Sequence, residues 1–145
     1  MSVRVGVIGV GHLGYHHARI YSEILGATLV GVVDSNEDRA QYVGDTMGVP
    51  HFSDFVQFLD TVRPHAVSVA VPTSLHYQVA SEALKRGIHV LVEKPVTTKV
   101  EEAEALLKIA ADRDLVLQVG HVERFNSAVQ YVRSMIDSPL LIQSR

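Results

Sequence analysis

The chain has 145 residues, 47% hydrophobic and 20% charged, with a formal net charge of −3, the balance of one globular domain with its own core rather than a disordered chain. That charge, with no basic cluster, gives no general attraction to nucleic acid or anionic membrane, and no apolar stretch approaches the ~20 residues that cross a bilayer, so neither partner is expected. The absence of cysteine excludes disulfides, thiolate metal sites and thiol catalysis, and with no signal peptide ahead of the first strand it fits a cytoplasmic protein.

The apolar run Val3–Ile8 reads as a first strand. Gly9-Val10-Gly11-His12-Leu13-Gly14 follows, opening a helix over residues 12–25 that Gly26 ends. A second strand over 28–33 closes on Asp34, twenty residues after Gly14. Strand, glycines, helix, strand and terminal acid in this order make a dinucleotide-binding fingerprint. Gly9 permits the tight turn, Gly11 lets a pyrophosphate approach the backbone, and Gly14 lets the helix pack closely on the sheet. The helix start, with His12 and Leu13 in its first turn, offers unpaired N–H groups and a positive dipole end to phosphates. Asp34 is expected to accept from the adenosine ribose hydroxyls, so NAD is expected ahead of NADP. Ser35 and Asn36 supply no cation to a 2′-phosphate, and Arg39, one turn into the next helix, is the residue that could reach it.

A second helix spans 36–47, capped by Ser35 or Asn36 and stopped by Gly48. His51-Phe52 is a short third strand, and Ser53 or Asp54 caps a helix through 59 that Arg63-Pro64 breaks. Residues 66–71 are a fourth strand, apolar almost throughout, as for one covered on both faces. Thr73 or Ser74 caps a helix to 86, Gly87 ends it, and 88–92 form a fifth strand. The helix Val100–Asp112 puts Ala103, Leu106, Leu107 and Ala110 on one face, and 115–119 are a sixth strand. This alternation predicts an α/β Rossmann-type, doubly wound parallel sheet of six strands in the order 3-2-1-4-5-6. Phe125, Val129, Val132 and Ile136 follow helical spacing, Pro139 breaks that helix, and Leu140-Leu141-Ile142 starts another strand. The expected division is a dinucleotide-binding domain over 1–122 and, over 123–145, a connecting helix and the start of a second domain. The chain thus reads as the first half of a larger protein, and the helix's apolar face with an unpaired strand edge predicts a homo-oligomer.

Eight histidines raise the question of a metal. His12 and His16 share a helix face as two ligands would, but no acid or third histidine sits at a supporting spacing, and no metal site is expected. His76 opens the helix after the fourth strand and His121 follows the sixth, both on the rim where the nicotinamide ribose would lie. His51, His65 and His89 read as structural or exposed.

Three further stretches complete the pattern: Pro72-Thr73-Ser74-Leu75-His76, Gly87-Ile88-His89-Val90-Leu91-Val92-Glu93-Lys94-Pro95, and Gly120-His121-Val122-Glu123-Arg124-Phe125-Asn126. With the glycine motif they resemble, over essentially the whole chain, the N-terminal NAD(P)-binding domain of the glucose–fructose oxidoreductase / inositol dehydrogenase (Gfo/Idh/MocA) family. Glu93-Lys94-Pro95 is the most diagnostic piece, and His121 to Asn126 is most similar to members acting on nucleotide sugars, such as UDP-N-acetylglucosamine 3-dehydrogenases. The resemblance implies an NAD-dependent oxidoreductase that moves a hydride between nicotinamide and a hydroxyl-bearing carbon of a sugar, nucleotide sugar or cyclitol. Lys94 matches the family lysine beside the reacting centre, where a cation can stabilise negative charge on the substrate oxygen. Glu93 orients Lys94, lines the cofactor cleft, or is a structural carboxylate; Pro95 is a candidate for a cis bond, and His17 matches a position often histidine in the family and packs near the loop. Val71, Pro72, Thr73, His76, Glu93, Lys94 and His121 are expected to join the glycine loop, Asp34 and Ser35 around the cofactor.

Family enzymes add a second domain that supplies the substrate pocket and often a histidine acid/base, so this chain alone is expected to bind cofactor without turnover. A stand-alone NAD(H)-binding regulatory module, like the cytoplasmic domains that gate potassium transport, shares the length and the fingerprint. Glu93-Lys94-Pro95 and the Gly120-to-Asn126 stretch favour the enzyme. A methyltransferase using S-adenosylmethionine usually lacks the third glycine.

Overall fold

The computed structural model describes residues 2–136. Its elements alternate as β1 (Val3–Ile8), α1 (His12–Glu23), β2 (Ala27–Val33), α2 (Glu37–Met47), β3 (His51–Phe52), α3 (Phe55–Val62) and β4 (Ala66–Val69). There follow α4 (Thr73–Lys85), β5 (His89–Val92), α5 (Val100–Asp112), β6 (Leu117–Val119), a 3₁₀ turn (Val122–Phe125) and α6 (Ser127–Met135). The six strands form one sheet in the order β3-β2-β1-β4-β5-β6, every pair parallel, as the alternation predicts. The winding reverses between β1 and β4, so the carboxyl ends of those strands open the crevice in which this fold holds ligands.

Apolar side chains fill both faces of the sheet. Phe58 and Leu59 of α3, Val79 and Leu84 of α4 and Leu106 of α5 pack on one face, and Ala18 of α1 and Val43 of α2 on the other. Gly6 and Gly31, side by side in β1 and β2, make room for the fully buried Phe58 ring. A Cβ on Gly31 would stand 2.8 Å from Phe58 Cε2, and one on Gly6 would overlap the ring.

Several boundaries differ from the sequence expectation. Helix α1 stops at Glu23 instead of running to 25, with Ile24 already extended and Leu25 out in solvent. Helix α3 continues to Val62, where Arg63 turns left-handed (φ 47°) ahead of Pro64. Strand β4 ends at Val69, because residues 70–72 leave the sheet to pass over the glycine loop. Neither Thr73 nor Ser74 caps α4: both lie inside it, Pro72 is the cap residue, and the Leu75 N–H donates to the Pro72 carbonyl at 2.8 Å. The helix expected from the spacing of Phe125, Val129, Val132 and Ile136 is two pieces, a 3₁₀ turn that ends at Phe125 and then α6, started by the Asn126 side chain accepting from the Ala128 N–H at 3.0 Å. Helix α6 buries none of its residues, and the strand expected at Leu140-Leu141-Ile142 lies outside the described residues. Among the described residues no helix is long and apolar enough to cross a membrane.

Candidate functional site

The glycine loop runs from β1 into α1 at the crevice. Gly9 is left-handed (φ +86°), and a Cβ on it would press 2.7 Å against the Ala70 carbonyl, so the loop and the β4–α4 turn pack backbone to backbone. At Gly11 a Cβ would meet nothing within 4 Å, which leaves its main chain open to a ligand. Gly14 faces the opposite way, and a Cβ there would overlap the Gly9 carbonyl oxygen. Helix α1 begins at Gly11 with no side-chain cap and no acid in its first turn, so its first N–H groups and dipole are uncompensated. Such an end suits a pyrophosphate.

Asp34, at the carboxyl end of β2, is tied to this loop. Its Oδ2 accepts the Val10 N–H at 2.9 Å and its Oδ1 the Asn36 N–H at 3.0 Å. The Val10 carbonyl in turn accepts from Arg39 Nε at 2.8 Å, and the Arg39 guanidinium lies 5.8 Å from the ring centroids of both Tyr15 and Tyr42. The Val10 backbone is therefore held on both sides by residues of the second βα unit.

A groove of about 550 Å³ lies along the crevice, lined by Gly9, Gly11, His12 and Leu13 of the loop, Asp34 and Ser35, and Val71 and Pro72 across it. The donor set, the open space at Gly11 and the groove fit a dinucleotide. Lys94 and His121 are exposed and stand apart from this groove, in a second cavity of about 370 Å³ that Gly120, Glu123, Arg124 and Arg133 also line. Gly14 lies beneath the loop, and Thr73 starts α4 without reaching the groove wall.

Two expected site residues are under the site instead of in its lining. His76 is 1% exposed, with one ring nitrogen 2.8 Å from the Val71 carbonyl and the other 2.9 Å from that of Pro95. It clips the β4–α4 turn to the turn after β5 and offers no surface to a ligand. Glu93 is 6% exposed; its Oε1 lies 3.1 Å from His17 Nε2, and its Oε2 accepts the Lys94 N–H at 3.2 Å. Buried in this way, Glu93 does not line the groove; its carboxylate joins α1 to the backbone just after β5. His17 Nδ1 lies 2.6 Å from the Oγ of Ser68, a fully buried residue that sequence reasoning passed over. The signal for Ser68 was its place in Ala66-Val67-Ser68-Val69, since a hydroxyl in an apolar buried strand requires a partner. The Lys94–Pro95 peptide is cis.

Two further histidines tie the main chain together. His65 and His89 accept main-chain N–H groups of Arg4 and Val116, at 3.2 and 3.0 Å. His12 and His16 meet edge to face, 5.1 Å between ring centroids. The main charge network lies at the other end of the sheet, where the Arg86 guanidinium holds the Asp60 and Glu82 carboxyls below their ordinary range and pins α3 to α4.

A family model described as oxidoreductase family, NAD-binding Rossmann fold, matches residues 3–121. UDP-N-acetylglucosamine 3-dehydrogenase of Acidithiobacillus ferrooxidans is 45% identical over 131 residues, 90% of this chain and 41% of that protein. scyllo-Inositol 2-dehydrogenase (NAD(+)) of Bacillus subtilis is 34% identical over 138 residues, 94% of this chain and 40% of that protein. The crystal structure of the WlbA dehydrogenase from Bordetella pertussis, in complex with NADH and UDP-GlcNAcA, superposes with a TM-score of 0.88 at 27% identity, over 92% of this chain and 41% of that one. The chain spans about 40% of the length of the curated relatives it matches.

Proposed function

This chain belongs to the Gfo/Idh/MocA oxidoreductase family, matching its NAD-binding Rossmann domain, and from that premise we propose that it is the cofactor-holding part of a nucleotide-sugar dehydrogenase. The observation that carries the reading is the position of Lys94: exposed at the carboxyl end of β5, on the same rim of the sheet as the glycine loop, in a second cavity of about 370 Å³. NAD, when bound, supplies the hydride acceptor. The chain's own residues do the rest on this side: the loop holds the pyrophosphate, Asp34 the adenosine ribose, and the Lys94 ammonium donates to the substrate oxygen. As the carbon gives its hydride to the nicotinamide and the hydroxyl gives its proton to an acid/base of the second domain, that cation would stabilise the negative charge gathering on oxygen. A nucleotide sugar is favoured over a cyclitol because the relative acting on one is 45% identical, against 34% for the inositol enzyme. The proposal keeps residues 1–122 as the dinucleotide domain, 123–145 as connector, and a cytoplasmic location.

A chimera tests this directly. The 145-residue chain alone is expected to bind NAD in calorimetry and to form no NADH with nucleotide sugars. Joined to the remainder of the 45% identical relative, it is expected to turn over UDP-N-acetylglucosamine. Lys94→Ala then lowers turnover by about 100-fold or more while NAD affinity stays within a few-fold, the signature of a contact made chiefly in the transition state. A Lys94→Ala chimera as active as its parent overturns the assignment.

Self-association is proposed as well, supported by Val129, Val132 and Met135 exposed on α6 beside Phe125. Sedimentation of the 145-residue chain is expected to give a dimer or larger, and charged substitutions at Val129 and Val132 to return it to monomer. A monomer at high protein concentration counts against it.

A further inference from the structure

Glu93 is held from every element around it. His17 reaches its Oε1 from α1 at 3.1 Å, and the Lys94 N–H reaches its Oε2 at 3.2 Å. Gly120, after β6, leaves the room it occupies: a Cβ there would stand 2.6 Å from Oε1. Ser68 on β4 completes the chain at 2.6 Å from His17 Nδ1. With Nε2–H donating to the carboxylate, the Ser68 hydroxyl donates to Nδ1 of a neutral His17 ring or accepts from Nδ1–H of a protonated one, and both arrangements pair every group. The order serine, histidine, acid is that of a hydrolytic triad, yet Ser68 is fully buried, so no substrate can meet its hydroxyl. Desolvating a carboxylate is unfavourable unless it is paired and hydrogen-bonded, and here three strands and a helix supply the partners or the space.

The location says what this is for. Asp34, the proposed partner of the adenosine ribose, stands at the end of β2, two strands away from β4. The Glu93 cluster instead joins β4, α1 and the end of β5, on the residue just before Lys94, and His76 lies 2.9 Å from the carbonyl of Pro95, the residue just after it. We infer that the Ser68–His17–Glu93 relay is the positioning device of the nicotinamide half-site. His17 and Ser68 hold the Glu93 carboxylate, which fixes the Lys94 main chain and so the wall against which the nicotinamide end lies. The inference rests on the proposed cofactor orientation, and His17, Ser68 and Glu93 act through Lys94 without touching the reacting atoms.

Two probes separate the halves of the groove: NADH, and ADP-ribose, which lacks the nicotinamide. In the 145-residue chain, Glu93→Gln and His17→Ala are expected to weaken NADH about 10-fold and to change the fluorescence of bound nicotinamide, with ADP-ribose held within two-fold. Ser68→Ala gives the same pattern more weakly. Gly120→Ala, which crowds the carboxylate from β6, gives it without removing a polar group. Should Glu93→Gln fail to fold by circular dichroism, Ser68→Ala and Gly120→Ala carry the test. Equal losses for both probes, or no loss for either, overturn the relay as a nicotinamide device and leave it structural. Failure of the parent chain to bind either probe would instead overturn the cofactor reading.

Discussion

Gly11→Val is expected to abolish NAD binding in a chain that still folds, and Gly14→Ala to damage the fold. The two positions are three residues apart in one turn, but their missing side chains face opposite ways. A Cβ at Gly11 meets no atom within 4 Å, so a side chain starts from open space there and fills the room through which a pyrophosphate must approach. Losing that approach should weaken NAD by at least about 100-fold, about 2.8 kcal/mol at 1.4 kcal/mol per decade. A Cβ at Gly14 overlaps the Gly9 carbonyl oxygen and lies 2.8 Å from its carbon. Gly9 cannot retreat, because it is itself wedged against the Ala70 carbonyl. Helix α1 must then lift off the sheet, an overpacking cost of about 1–3 kcal/mol or more. In a chain of this size that lowers the melting temperature by roughly 3–12 °C. Calorimetry with NAD and thermal melts of both variants check the contrast. A Gly11→Val chain that binds as its parent does removes the phosphate-loop assignment, and a Gly14→Ala chain that melts with its parent removes the packing role.

That contrast also marks how far the sequence alone could be read. The glycine roles are properties of the backbone within one turn, so spacing exposed them, and the βα alternation exposed the sheet order. Side-chain pairing across elements leaves no periodic trace. His17 meets Ser68 across 51 positions, and its partner Glu93 lies still further along the chain. Only the polarity of Ser68 in a buried strand pointed toward that pairing. His76 misled for a related reason: a histidine at a helix start beside a cleft looks like lining, but its two ring nitrogens are occupied by the carbonyls of two turns. Gly6 and Gly31 carried an unread signal of close approach, whose cause, Phe58, lies on a helix that follows both strands. Helix ends such as Glu23 depend on where the chain must turn to meet the next strand, and apolar Ile24 and Leu25 gave no warning of it.

NAD is expected to bind several-fold to a thousand-fold more tightly than NADP. The Asp34 carboxylate is fixed in place by the Val10 and Asn36 N–H groups, so it cannot swing away from a 2′-phosphate. Each like-charge pair at 4 Å costs about 1 to 4 kcal/mol, depending on the local dielectric. At 1.4 kcal/mol per tenfold change, that range gives the expected discrimination. Arg39 is the cation that could offset it, but its Nε is donated to the Val10 carbonyl at 2.8 Å and its guanidinium is flanked by Tyr15 and Tyr42. To serve a 2′-phosphate it would have to leave the loop and both rings, giving up a hydrogen bond and cation–π contacts of about 0.5–1 kcal/mol each. Asp34→Ser should therefore narrow the gap mainly by weakening NAD: the ribose hydroxyls lose their acceptor, and the Val10 N–H loses the carboxylate that orders the loop. Titration calorimetry of the parent and of Asp34→Ser with both cofactors, at one fixed salt concentration, reads this out. NADP binding the parent as tightly as NAD would mean that Arg39 does leave its place.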